Sequence, residues 1–455
     1  MRSAFLALAA LMLLGLGVVH PFILGLGYVW VDLFSPHVVA FSLIRALPFS
    51  MIFGAAALAA YLLTDRKCPP RVGWTLVLLF TLALWTTFTS TIAVAPSNVV
   101  WKKWDWAFKA MMFGGFIPFL FRSRVQIEAF LLVYIFALSG SLLAFGAKTI
   151  LGGGGYGIQL GLLTGNTGLG EGSTLAVVAL SVVPLLLFLS KHCIVLPQFK
   201  GRHLLFLGLI FAALATSVGT FARAGFVALI AMFLLCWWRF PHKVRNLFVG
   251  ALIVVGLAAI ASDQWYERIS TIWNFESDTS AVTRIAVWEW TLDFVRDRPL
   301  GGGFHSFVVN ELTFITEDGH TITDKGRAFH SIFFEVLGEH GYPGLIIFSL
   351  LLLSVYINLA RAKVLVGESP HAEWTRDLCA AISVAITTFL VGGLFVGIAF
   401  QPMLYYYIAT SVCVLNFARR AGLAAPSSGE KADIVGRKAR APSRMVPSAG
   451  KHPAE

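Results

Sequence analysis

The stretch SDQWYERISTIWNFESDTSAVTRIAVWEWTLDFVRDRPLGGGFHSF (262–307), continued after a polar middle by KGRAFHSIFFEVLGEHGYPG (325–344), is the one long segment of this chain that no bilayer could hold. From Asp263 to Glu339 it carries thirteen acidic and six basic side chains. Apolar runs crowd it on both sides, each about 17–25 residues long, enough to cross a hydrocarbon core of about 30 Å as a helix. The segment therefore reads as a large loop or small domain held at one face of a membrane.

Composition agrees. Of 455 residues, 57% are hydrophobic and 13% charged, and the mean hydropathy is +0.77; a soluble domain is nearer to about 25% charged. Backbone groups left unpaired cannot sit in lipid, so a spanning chain is helical or a closed barrel. The apolar runs lack period-2 alternation and are too long for barrel strands. The expected class is an all-α polytopic membrane protein with about twelve transmembrane helices (eleven to thirteen) and one large periplasmic loop carrying short helices.

The net charge of +11 does not mark a nucleic-acid binder, because the basic surplus lies in short connectors such as DRKCPPR (65–71) and RFPHKVR (239–245) and in the C-terminal tail. That asymmetry follows the positive-inside rule and puts the large loop outside the cytoplasm. The chain divides into N-terminal transmembrane helices (1–148), a glycine-rich periplasmic loop (149–173), central transmembrane helices (174–262), the large periplasmic loop (263–341), C-terminal transmembrane helices (342–418) and a basic cytoplasmic tail (419–455) expected to be disordered. The apolar stretch 4–34 is either one helix broken near His20-Pro21 or two short ones, and it reads as retained rather than cleaved. Cys68, Cys193, Cys236, Cys379 and Cys413 all fall away from the outer loops, so no disulfide framework is implied.

Arg223, in VGTFARAGFVAL, stands at a short outer turn between two apolar runs. A charge there is functional or snorkels to the headgroups; its place on the outer face favours an arginine that grips a lipid-linked phosphate. In TSAVTRIAVWEWTLDFVRDRP, Ile285, Trp288, Leu292 and Val295 recur at helical spacing, predicting a helix that begins near Arg284, capped by Thr283 or Ser280. An arginine at a helix N-terminus would add charge to an anion site; by spacing alone a solvated helix face fits equally well. Pro299 and three glycines then reverse the chain ahead of His305, which taken alone is a loop histidine.

His330, Phe334, Leu337 and Gly341 share one helical face, with Glu339 close to it. Histidine exchanges a proton near neutral pH, and Glu335 or Glu339 could orient it. A metal site is excluded by spacing: His330 and His340 are ten apart and neither HExxH nor CxxC occurs.

Together, Arg223; Arg284 with Trp288; Pro299, Gly301 and Gly303; and His330-Ser331 with Glu339 and Gly341 resemble the motifs of the O-antigen ligase superfamily. The segment PFILGLGYVWVDLFSPHVVAFSLIRALPF and the form HSIFFEVLGEHGYPGL look like the O-glycosylation ligases associated with exosortase A systems. Ala222 stands where serine is common and Ser331 where asparagine is frequent; neither departure removes a charge. The resemblance implies a GT-C-like inverting glycosyltransferase in the bacterial inner membrane with a periplasmic active face. Its donor would be a glycan on undecaprenyl diphosphate and its acceptor a glycolipid, protein or glycan, with no metal, nucleotide or other cofactor. Arg223 and Arg284 would bind the donor pyrophosphate, His330 would be the general base, and Glu339 would support it. Lys109, with Lys102 and Lys103, would also meet phosphate if their loop lies outside; a different topology for that loop explains these lysines equally well. A polysaccharide polymerase of the same superfamily would share all of this except the acceptor. A lipid-linked glycan flippase is disfavoured, since transporters place ionisable groups at the midplane and show related halves. A non-catalytic assembly factor would use the loop for docking.

Overall fold

The computed structural model describes residues 2–36, 47–65, 68–152, 169–239, 243–244, 279–315 and 321–423. In chain order these form α1 (Arg2–Val19), α2 (Pro21–Phe34), α3 (Phe49–Leu63), α4 (Trp74–Thr91), α5 (Ser97–Leu120), α6 (Arg124–Gly152), α7 (Gly172–His192), α8 (Arg202–Gly219), α9 (Arg223–Arg239) and α10 (Thr279–Asp297). A 3-10 turn (Ser306–Val309) and the antiparallel strands β1 (Glu311–Ile315) and β2 (Thr321–Lys325) follow, then α11 (Ile332–Leu365), α12 (Ala372–Gly393) and α13 (Pro402–Leu423). Among the described residues α4, α6, α7, α8, α11 and α12 are long and apolar enough to cross a membrane, and α1 to α3 are apolar but shorter. The span expected at 246–262, most of the glycine-rich loop and the tail beyond Leu423 lie outside the described residues.

The core centres on α7 and α13, whose side chains are buried nearly all round. A helix apolar on every face belongs inside a bundle. α7 is packed by α6, α8, α9 and α12, and α13 by α5, α11 and α12. Hydrogen bonds tie helices where lipid offers no alternative partner: Tyr134 of α6 donates to Tyr407 of α13 (2.9 Å), which meets Ser181 of α7 (2.8 Å). At the bundle end where α6 starts, Glu128 accepts from Arg124 and Trp374 (2.8 Å each) and from the Ile194 amide (2.6 Å).

One alternative left open by the sequence is decided, and two features differ from the expectation. The 4–34 stretch is two helices packed on one another, because Pro21 drives His20 out of the helical region (φ −130°, ψ 91°). The apolar run alone predicts a helix over about 105–121, but α5 begins at Ser97, since nothing in SNVVWKKWD interrupts a helix once Pro96 has ended the preceding turn. The large loop contains a β-hairpin, in which Glu311 faces Lys325 and pairs with it at 2.9 Å.

Candidate active site

At the end of the bundle opposite Glu128, α11 breaks at Gly341 (φ 66°, ψ −169°). The broken turn exposes carbonyls that a chain reversal satisfies. Gly302 N–H donates to Gly338 O (3.0 Å), Gly303 N–H to Glu339 O (2.7 Å) and the Ser306 hydroxyl to Gly338 O (2.9 Å), while Tyr342 N–H donates back to Pro299 O (3.0 Å). Only glycines allow this approach: a Cβ on Gly301 (φ 85°) would lie 2.4 Å from Gly341 N. The PLGGG reversal read from sequence is thus the clamp on the α11 break.

Beneath the clamp sits Lys103, from the second turn of α5. Its Nζ lies 2.8 Å from Glu335 Oε1 and 2.8 and 3.1 Å from the two oxygens of Glu339. Glu339 is fully buried and also accepts the His305 amide (2.9 Å); Glu335 accepts the Ala399 amide from the α12–α13 connection (2.9 Å). The ammonium stands beside the touching rings of Phe304 and Phe400, 5.5 and 5.7 Å from their centroids. Next to it, buried His340 meets Thr89 (Nδ1 to Oγ1, 2.7 Å), and its carbonyl takes the Trp85 indole N–H (2.8 Å). Burial and the nearby Lys103 charge push the His305 imidazole down to about 4, so it is neutral at pH 7.

His330 lies just above. Its backbone is left-handed (φ 46°) and Ser331 takes the N-cap position of α11, so His330 precedes the helix rather than sharing its face. Trp288 holds this turn: its indole donates to Phe329 O (2.9 Å) and stacks flat on Phe334 (5.0 Å, 2°). Arg284, one turn earlier on α10, stands on the same face as Trp288. Burial first, then the charge of Arg284, holds the His330 imidazole below its ordinary 6.5; Glu171 pulls the other way, Arg327 adds a lesser lowering, and Glu335 opposes least. Asn310 braces Arg327 through both backbone groups (2.7 and 2.9 Å).

Arg223 is the first residue of α9 and is half-buried, two residues after the left-handed Phe221 (φ 53°). Gly225 packs against Ala176 of α7, and Gly172, where α7 begins, packs against Thr220. Glu171 precedes that start, and its charge reaches His330. Arg223, Arg284 and His330 therefore gather at one end of the bundle. Three of the four left-handed non-glycine residues among those described, Phe221, His305 and His330, flank this end, and such conformations cluster at functional sites.

Several expectations are corrected. α10 is already helical at Thr279, the first described residue of its stretch, so Arg284 lies beyond the first turn and not at the N-terminus, with Ser280 and Thr283 inside the helix. Glu335 and Glu339 turn to Lys103, not His330, because a buried ammonium is the stronger partner. Lys109 is exposed and paired with Asp105 (2.6 Å); Lys102 is exposed as well. Lys103 is the lysine that enters the site. Its partners were within reach of sequence reasoning, since two glutamates four apart on an apolar helix require a counter-charge. The described residues that could hold a metal, His192, Glu373 and Asp377, lie at the opposite bundle end, and Lys191 Nζ already stands 2.8 Å from both carboxylates.

The structure is thus a helical bundle with membrane-length apolar helices, two arginines and a histidine gathered at one end. Residues 207–349 match a family described as O-antigen ligase, and residues 1–194 match a family of unknown function (DUF5935). Residues 207–349 thus carry an O-antigen ligase domain, which supports the O-antigen ligase superfamily, a family that in general implies lipid-linked glycan substrates. Comparison with curated proteins gives no match.

Proposed function

We propose that this protein transfers a glycan from undecaprenyl diphosphate to an acceptor hydroxyl at the periplasmic face of the inner membrane, inverting the anomeric centre without a metal. The observation that carries this reading is the placement of neutral His330 within the fields of Arg284 and Arg327 at a strained turn. His330 takes the proton of the acceptor hydroxyl as that oxygen attacks the anomeric carbon. The bond from the anomeric carbon to the phosphate oxygen breaks with its electron pair, and the diphosphate leaves. Arg223 and Arg284 offset the charge growing on it, which is electrostatic stabilisation of the transition state. Glu339 acts at one remove, through Lys103 and the His305 amide. The N-terminal segment 21–49 supports placing the chain beside the O-glycosylation ligases of exosortase A systems.

The test is transfer by purified protein in proteoliposomes, supplied with lipid-diphosphate glycan and either a hydroxyl-bearing glycolipid or protein, or a second copy of the donor glycan. Product on the first acceptors identifies a ligase, and chain growth on the last a polymerase. Unconsumed donor with every acceptor sinks the reading. Arg284→Ala and Arg223→Ala are each expected to lower kcat/KM by about 100- to 1,000-fold, the usual effect of removing one transition-state stabiliser. Wild-type turnover in either variant would remove that arginine from the donor site.

A further inference from the structure

We propose that Lys103 is a positioning residue for the transfer, supplied to the site by the N-terminal region whose family has no known function. This inference rests on the reading of the His330 site given above. Lys103 lies within residues 1–194, and both of its carboxylate partners lie within the ligase-matching residues 207–349. Three donor contacts, to Glu335 Oε1 and both oxygens of Glu339, use the whole hydrogen-bonding capacity of the ammonium, and two aromatic rings stand beside it. No donor atom is left to face a phosphate, so a direct role in gripping the donor is excluded by geometry.

What the lysine does is draw three chain segments to one point. Through Glu339 it holds the His305 end of the glycine clamp, and through Glu335 it holds the α12–α13 connection at Ala399. Both glutamates lie on the limb of α11 that starts one residue after Ser331, so the turn presenting His330 is anchored from below by this ion trio. Gly397 is close enough to Glu335 that a Cβ there would meet Oε2 at 3.3 Å, which leaves the carboxylate little room to move elsewhere. A displaced anchor moves the base relative to the donor, and a misplacement of about 1 Å lowers a rate by about 100-fold.

The experiment compares Lys103→Met with the uncharged triple variant Lys103→Met/Glu335→Gln/Glu339→Gln in proteoliposomes. It measures thermal melting, kcat, and KM for the lipid-linked donor, with His330→Ala as reference. The single variant leaves two buried carboxylates without a counter-ion and is expected to melt early; the triple variant carries no buried charge and is expected to insert and fold. In whichever folds, kcat should fall about 100-fold with donor KM unchanged, and Lys103→Arg should recover at least a tenth of the wild-type rate. A rise in donor KM with kcat intact would make Lys103 a phosphate ligand and overturn the proposal. So would wild-type kcat in a folded variant, or failure of both variants to fold, which would confine the trio to stability. If His330→Ala also transfers normally, the fault lies with the His330 reading itself; if only the lysine variants do, that reading stands and this one falls.

Discussion

His330→Ala is expected to lower kcat by about 100- to 10,000-fold, the range lost with a positioned general base. Donor KM should stay near wild type, since the alanine leaves both arginines in place. In cells the lipid-linked donor should accumulate while surface glycan disappears. The pH profile gives a second signature. The imidazole sits below 6.5 because burial and the Arg284 and Arg327 charges disfavour its protonated form. The acid limb of kcat/KM is therefore expected below pH 6.5 in the wild type. Removing a cation favours protonation, so the residual activity of Arg284→Ala should show that limb moved to higher pH. The same burial bears on stability: the contribution is complete above the unfolded value of about 6.5 and is lost as pH falls toward the lower folded value. Full turnover with alanine at 330, or an acid limb that ignores position 284, would remove His330 as the base.

Gly341→Ala is expected to be the most damaging single-methyl change in the described chain. Its backbone (φ 66°, ψ −169°) lies in a region open essentially to glycine alone, and a Cβ would stand 2.1 Å from Pro299 O and 2.4 Å from Leu300 C. Strain of about 1–3 kcal/mol and overpacking of similar size combine to about 2–6 kcal/mol of destabilisation, concentrated at the clamp. Melting in detergent should drop sharply, and the folded remainder should transfer poorly because the reversal carrying His305 no longer seats. Unchanged melting and turnover would show that the clamp tolerates a side chain and that the break in α11 is not held by it.

These outcomes depend on features of unequal legibility in the sequence. The apolar runs around 127–148, 174–190 and 203–218 correspond to α6, α7 and α8 within a few residues, because a bilayer demands length and apolarity, and both are local properties. The reversal at Pro299–Gly303 was equally plain. The hairpin is not among the expected elements, although Thr and Ile alternate on either side of Asp318-Gly319, a turn dipeptide that favours antiparallel strands. The left-handed turn at His330 could not be read, since it is imposed by Trp288 on Phe329 from 41 positions away. Lys103 illustrates the limit best. Its partners lie 232 and 236 residues downstream, and nothing in WKKWDW says which of two adjacent lysines turns inward. Helix phase decides: a 100° step sends Lys103 into the bundle and leaves Lys102 in solvent with Lys109, seven residues on.

The ion trio also constrains how such a chain can change over generations. Its lysine and its two glutamates sit in stretches that match separate families, yet neither stretch is neutral at this point without the other. A recombinant that took one half from a lineage with an apolar residue at the matching position would inherit either a stranded ammonium or a bare pair of carboxylates in apolar surroundings. The two halves must therefore be transmitted as a set, or lose all three charges together.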